Sequence, residues 1–448
     1  MDIQSREQLK KVDVLIEARW IATVNRQAPL LEHHAVAIWQ GVIVDILPIQ
    51  QARLAYTATS LVCLDDHVLI PGLINMHTHA GMGLMRGMAD DQPLMSWLNN
   101  YIWSAERALL SEQYVRDASL LGCAEMLSSG ITCFNDMHFY PQATASAVNQ
   151  AGIRANLGLV VLEFPTAYAT DADDYLQKGF DAHDSWRGSA LITSSLAPHA
   201  PYTVSNLTFE RVLVYAEQLG LGIHTHLHET RDEIVQSEAQ FGMRPIKRLL
   251  DLGLLGPNFT AAHCVHLQSE EIELLVEYGC HVAHCPSSNL KLASGIAPVA
   301  ELLSYGVNVG LGTDGVASNN RLDIFTEMRL SALLAKGRSE DATVVPAHQA
   351  LEMATINAAK AMGLDHKIGS IEVGKLADLV AVNLSAIETS PCYDPVSHLV
   401  YTCGREHVTH TWVAGELRYH HGVYANIEPI ELREIIQTWK PKLRQLKQ

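Results

Sequence analysis

The sequence predicts an α/β protein: a (β/α)8 TIM-like barrel joined to a small composite β-sandwich from both chain ends. Three observations lead there. Strand-like segments at the two ends enclose a long middle in which short apolar runs alternate with amphipathic stretches. That middle runs to about 270 residues and about eight strand–helix units, the size and count of a closed parallel barrel. Histidines gather where the predicted strands end, at the rim where such barrels place their chemistry.

In chain order, Val12–Val24 and Ala35–Ile46 are rich in β-branched residues, and Gln40-Gly41 divides the second run as a hairpin turn. Barrel strands are expected to start near Leu73, Ile131, Ile153, Ala190, Leu221, Phe259, Cys280 and Val307. Helical patterns follow at Ser111–Ser129, Asn206–Gly220, Ser269–Gly279 and Pro298–Gly306. A doubly wound sheet competes with the barrel, but Gly81-Met82-Gly83 continues as Leu84-Met85-Arg86 and not as a dinucleotide fingerprint. Ala377–Leu384 and His407–Tyr419, the latter broken at Ala414-Gly415, return to the strand style of the opening. Pro429–Lys447 has helical spacing and predicts a tail helix. The expected domains are therefore a sandwich from residues 1–69 and 369–428, a barrel over 70–368, and a helical tail over 429–448.

The 448 residues carry 32 Lys and Arg against 49 Asp and Glu, a formal charge of −17, and 48% are apolar. Such a balance excludes a disordered chain and argues against a nucleic-acid-coating protein, which needs clustered cations. Met1–Lys11 lacks the apolar core of a signal peptide, and no run reaches membrane-spanning length. Eight scattered cysteines without a CxxC pair predict reduced thiols and a cytoplasmic location.

Five predicted strands end in candidate metal ligands. His77-Thr78-His79 closes the first, and residues two apart on a strand share a face. His224-Thr225-His226-Leu227-His228-Glu229 closes the fifth, His263 the sixth, His284 the seventh, and Thr313-Asp314-Gly315 the eighth. A single strand histidine is usually core and Asp314 alone could be a turn residue. Their common placement at one rim favours one divalent ion, Zn2+ by ligand type with Fe2+ as the alternative, and an open position for water.

Together with Pro71-Gly72-Leu73-Ile74-Asn75-Met76, His284-Cys285-Pro286-Ser287-Ser288-Asn289, Pro198-His199-Ala200-Pro201-Tyr202 and the re-entrant Gly369–Leu379 segment, these motifs resemble the amidohydrolase superfamily. Within it the chain is similar to the 5′-methylthioadenosine/S-adenosylhomocysteine deaminases, over nearly its whole length. Two-metal relatives carry a bridging lysine at the end of the fourth strand; Ala190–His199 has none, so the resemblance implies one ion. It would be held by His77, His79, His226 and Asp314, with His263 either a further ligand or a partner of the water or substrate.

The resemblance further implies a zinc-dependent deaminase converting 5′-methylthioadenosine, and S-adenosylhomocysteine or adenosine less well, to the inosine analogue and ammonia. Asp314 would shuttle the proton of the attacking water, Glu229 would protonate a ring nitrogen, and His284 and His263 would steady the attacking oxygen. A helix-start cap at Glu229 is the structural alternative. Glu106 would bind the ribose diol, His199 the nucleoside, and Arg154 the carboxylate of a homocysteine substrate. For Arg154 an ion pair at the barrel base is the competing reading. Leu84, Met85, Met88 and Trp97 are candidates for an apolar thioether wall, with ordinary core as the competing reading. The expected partner is a small purine nucleoside, without nucleic acid or membrane, and assembly into a homo-oligomer stays open. Triazine chloro- or aminohydrolases, guanine or cytosine deaminases, and a non-enzymatic barrel are the competing functions.

Overall fold

The structure is a computed structural model that describes residues 9–446. Most of the Met1–Lys11 segment, and Lys447 and Gln448 at the end of the predicted tail, lie outside the described residues. Among the described residues, no helix is long and apolar enough to cross a membrane.

Four N-terminal strands come first: β1 (Lys10–Ala22), β2 (Leu30–Trp39), β3 (Val42–Pro48) and β4 (Tyr56–Pro71). The barrel strands follow as β5 (Leu73–Thr78), β6 (Ile131–Met137), β7 (Arg154–Val161), β8 (Ile192–Pro198), β9 (Gly222–Leu227), β10 (Phe259–His263), β11 (His281–His284) and β12 (Asn308–Leu311). The C-terminal part adds β13 (Leu379–Asn383), β14 (Val408–Val413), β15 (Glu416–His420) and β16 (Val423–Tyr424), then the helix Pro429–Leu446.

The barrel sheet runs β12-β11-β10-β9-β8-β7-β6-β5, parallel at every pair. All eight expected starts fall within two residues of the observed ones; Ala190 to Ile192 is the widest offset, because Ser189 first turns the chain, its hydroxyl accepting from the Leu191 and Ile192 amides. Every residue of β5, β6, β7 and β10 is buried, as expected for strands covered on both faces. Closure falls between β12 and β5, where the Asp314 amide donates to the His77 carbonyl (2.9 Å). Gly312 permits that approach: a Cβ there would stand 2.9 Å from the His77 amide nitrogen.

The expected sandwich is one continuous eight-stranded sheet, β16-β15-β14-β13-β4-β1-β2-β3, in which β13 inserts beside β4 and joins the two chain ends. The sheet curls until its two hairpin tips meet. Gln40-Gly41 and Ala414-Gly415 both adopt positive φ at both positions, the tight hairpin geometry the sequence suggested. Residues 374–377 bridge the tips: the Ala377 amide donates to the Gly41 carbonyl and the Gly415 amide to the Ala377 carbonyl. Inside the curl, Ile16, Ile38, Ile43, Leu64, Leu379 and Trp412 form a core separate from that of the barrel.

Candidate active site

All five predicted donors converge at the C-terminal rim of the barrel. The ligand atoms of His77, His79 and His226 lie within 4.8 Å of one another, as do those of His77, His263 and Asp314. Asp314 Oδ1 is 3.0 Å from His79 Nε2 and 3.4 Å from His77 Nε2. Donors about 2.0–2.1 Å from a tetrahedral Zn2+ stand about 3.3–3.4 Å apart, so these spacings fit the ion. His77 Nε2 is also buried without a hydrogen-bond partner, a polar atom that a metal would satisfy. Backbone strain gathers at the same place: His263 and Asp314 hold φ of 75° and 60°, unusual for residues with a side chain.

The opposite edge of each imidazole is engaged. His77 Nδ1 meets His224 Nε2 at 2.9 Å, and His224 continues to Asn135 at 3.2 Å. His79 Nδ1 faces the Met137 carbonyl, His226 Nδ1 the His199 carbonyl (2.8 Å), and His263 Nδ1 the Asn289 Oδ1 (2.9 Å). Such partners orient ligands and direct Nε2 towards a shared centre. Asp314 is fixed in the same manner. The Ser288 and Ser318 hydroxyls donate to its Oδ2 at 2.6 and 2.7 Å, leaving Oδ1 for the histidines.

The electrostatics match this division. Burial opposes the charge of Asp314, but the His77 and His79 imidazoles outweigh it and hold the carboxyl well below its usual range. Burial pushes His77 down to about 4; for His79 the Asp314 carboxylate overcomes burial and lifts it to about 9. Burial, reinforced by neighbouring imidazoles, also keeps His226 and His224 neutral.

Glu229 is not a helix cap. Thr230 takes that position, its hydroxyl accepting from the Glu233 amide, while the Glu233 carboxylate accepts from the amides of His228 (2.9 Å) and Glu229 (2.8 Å). The Glu229 carboxyl is thus free to face the cavity, 4.0 Å from His263 Nε2, and burial raises its pKa. His284 is buried with its Nδ1 unpartnered.

Above the donors lies a cavity of about 320 Å³ lined by His79, His226, His263, Asp314 and Glu229, and further out by Glu106, His138, His199 and Tyr202. Glu106 is 7% exposed and its carboxylate lies 3.5 Å from His138 Nε2. His199 Nδ1 is anchored 2.9 Å from the Thr203 hydroxyl. The apolar wall is formed by Met82, Leu94, Trp97, Leu98, Ile102 and Phe164. Of the residues expected there, only Trp97 takes part. Leu84 and Met88 line a different groove and Met85 is core, because the loop after β5 turns them away from the barrel mouth.

Arg154 is not brought to the site. Its guanidinium is buried at the start of β7, paired with Asp378 at 3.0 and 3.2 Å and donating to the Ala190 carbonyl. The sequence reading also missed the supporting roles of Ser318, His224 and Asn135, and His138 in the cavity. Ser318 follows Asp314 by four residues, the only local signal available.

A (β/α)8 barrel that opens onto clustered imidazoles, one ionised carboxylate and a buried acid is the framework of a metal-dependent hydrolase. The chain belongs to the amidohydrolase family, whose family model matches residues 68–418. It is 47% identical over 404 residues to a 5-methylthioadenosine/S-adenosylhomocysteine deaminase of Saccharophagus degradans, covering 90% of this chain and 91% of that one. A protein of the same description from Teredinibacter turnerae is 45% identical, with 96% and 98% covered. The crystal structure of an adenosine deaminase from Xanthomonas campestris with bound zinc superposes with a TM-score of 0.96 at 44% identity, covering 98% of this chain and all of that one.

Proposed function

We propose that this chain is a zinc-dependent deaminase that converts 5′-methylthioadenosine to its inosine analogue and ammonia, with adenosine and S-adenosylhomocysteine as poorer substrates. The observation that carries the reading is one cavity lined by His79, His226 and Asp314, whose ligand atoms gather around that of His77, with the buried Glu229 and the Glu106 carboxylate in the same lining. The relatives described as 5-methylthioadenosine/S-adenosylhomocysteine deaminases support the substrate class. The cysteines, none in a disulfide, support a cytoplasmic setting.

His77, His79, His226 and Asp314 would hold the ion, with His263 beside its open position. Bound there, a divalent ion lowers the pKa of its water from 15.7 to about 7 and so supplies a nucleophile at neutral pH. Asp314 accepts the proton of the attacking oxygen through Oδ1 while Ser288 and Ser318 hold Oδ2. Glu229, kept protonated more readily by burial, donates to the ring nitrogen beside the carbon that bears the amino group. His263 hydrogen-bonds the oxygen as it adds. Collapse returns the Asp314 proton to the departing amine, and the proton released when the water ionises restores Glu229, so water enters and ammonia leaves. Glu106 accepts from the ribose hydroxyls and His199 contacts the nucleoside.

The apolar wall favours a methylthio group over an amino-acid tail. Arg154 is committed to Asp378, and Arg107 is the one guanidinium among the lining residues. Incubating zinc-loaded protein with 5′-methylthioadenosine should give the adenine-to-hypoxanthine ultraviolet change with one ammonia per turnover. Absence of both would remove the proposal.

A further inference from the structure

We propose that the curled sheet carries a second metal site, for one first-row divalent ion such as Zn2+ or Ni2+, formed by His410, His420 and His421. None of the three lines the barrel cavity. Strand pairing creates the cluster. His410 on β14 is registered opposite His420 on β15. His421 then turns back at φ 46°, its amide donating to the Thr409 carbonyl (3.0 Å), and brings a third imidazole to the same side.

The three ligand atoms lie within 4.8 Å of one another, the same criterion met by His77, His79 and His226. Ring-centre separations agree as well: 4.3, 4.7 and 5.6 Å here against 4.9, 4.9 and 5.4 Å in the barrel triad. His410 is buried and fixed, stacked on Trp412 with rings 3° from parallel and its Nδ1 2.9 Å from the Thr409 hydroxyl. His420 and His421 are exposed, so the site opens to solvent and an ion can enter.

His67 on β4 supplies an independent sign. Both of its ring nitrogens are buried without a hydrogen-bond partner, and its ring centre lies 6.3 Å from that of His410. A water on the bound ion would give it one. Three imidazoles and water suit zinc-like ions and not Mg2+ or Ca2+.

The test is metal content after zinc loading and dialysis, for the wild type and for H420A/H421A, whose side chains are exposed. The double variant should retain one zinc per chain fewer than the wild type, with kcat for the barrel reaction unchanged. A cobalt titration should lose one of two visible-absorbance steps in parallel. Single H421A, confined to the turn, provides the same comparison if the double variant folds poorly. Equal zinc content and equal cobalt titrations in wild type and variants would overturn the proposal.

Discussion

Removing the hydroxyls that grip Asp314 isolates the geometry on which the candidate active site depends. Ser288 and Ser318 donate to one carboxylate oxygen at 2.6 and 2.7 Å, both from fully enclosed positions. A hydrogen bond to a charged group contributes about 1.5–3 kcal/mol, equivalent to about 12- to 150-fold in an equilibrium constant. Second-sphere substitutions at metal sites cost about 10- to 100-fold in affinity or activity, the same interval. S288A and S318A should therefore each weaken zinc binding about 10- to 100-fold. Because both act on one oxygen, the double variant should depart from the product of the single effects. Competition with a chromophoric chelator measures the affinity, and kcat at saturating zinc measures what positioning adds to catalysis. A double variant that binds zinc as tightly as the wild type, with unchanged kcat, would refute the assignment of Oδ1 to the ion and Oδ2 to the serines.

Three further outcomes are expected. Glu229→Gln keeps the size of the side chain and removes its acid proton, so kcat should fall about 10²- to 10⁴-fold with KM little altered. The acid acts when protonated and its pKa is raised by burial, so wild-type kcat should decline as pH climbs through that raised value, and the variant should lose this limb of the profile. Glu106→Ala should lower kcat/KM for 5′-methylthioadenosine about 10-fold or more and leave any rate on a ribose-free triazine unchanged, since only the nucleoside offers the diol. Arg154→Met breaks a buried pair with Asp378 and should cost about 3–5 kcal/mol in urea unfolding, with KM unchanged for every nucleoside.

The barrel was legible because each of its strands is an apolar run, and five of them end abruptly in His or Asp; both signals are local. Glu229 was ambiguous from sequence because Thr230 and Glu233 make a capping pair beside it, and only the carboxylate positions separate the roles. Arg154 stayed open between the substrate and an ion pair at the barrel base because its partner, Asp378, lies 224 residues away. Leu84, Met85 and Met88 share the composition of a pocket wall, yet the direction of a loop decides which side chains face inward. The expected sandwich from both chain ends is present as one bent sheet, joined where β13 inserts beside β4. The His410 cluster stayed hidden because its members become neighbours only through the register of a hairpin.

The donors also impose an order on assembly. His77 comes from β5 and Asp314 from just beyond β12, so a growing polypeptide must add 237 residues after the first imidazole before the last carboxylate can arrive. The Asp314 amide that reaches the His77 carbonyl then joins the final strand to the first. Ion capture is therefore a late event in biogenesis, and a nascent fragment ending short of residue 314 has only an incomplete grip on zinc.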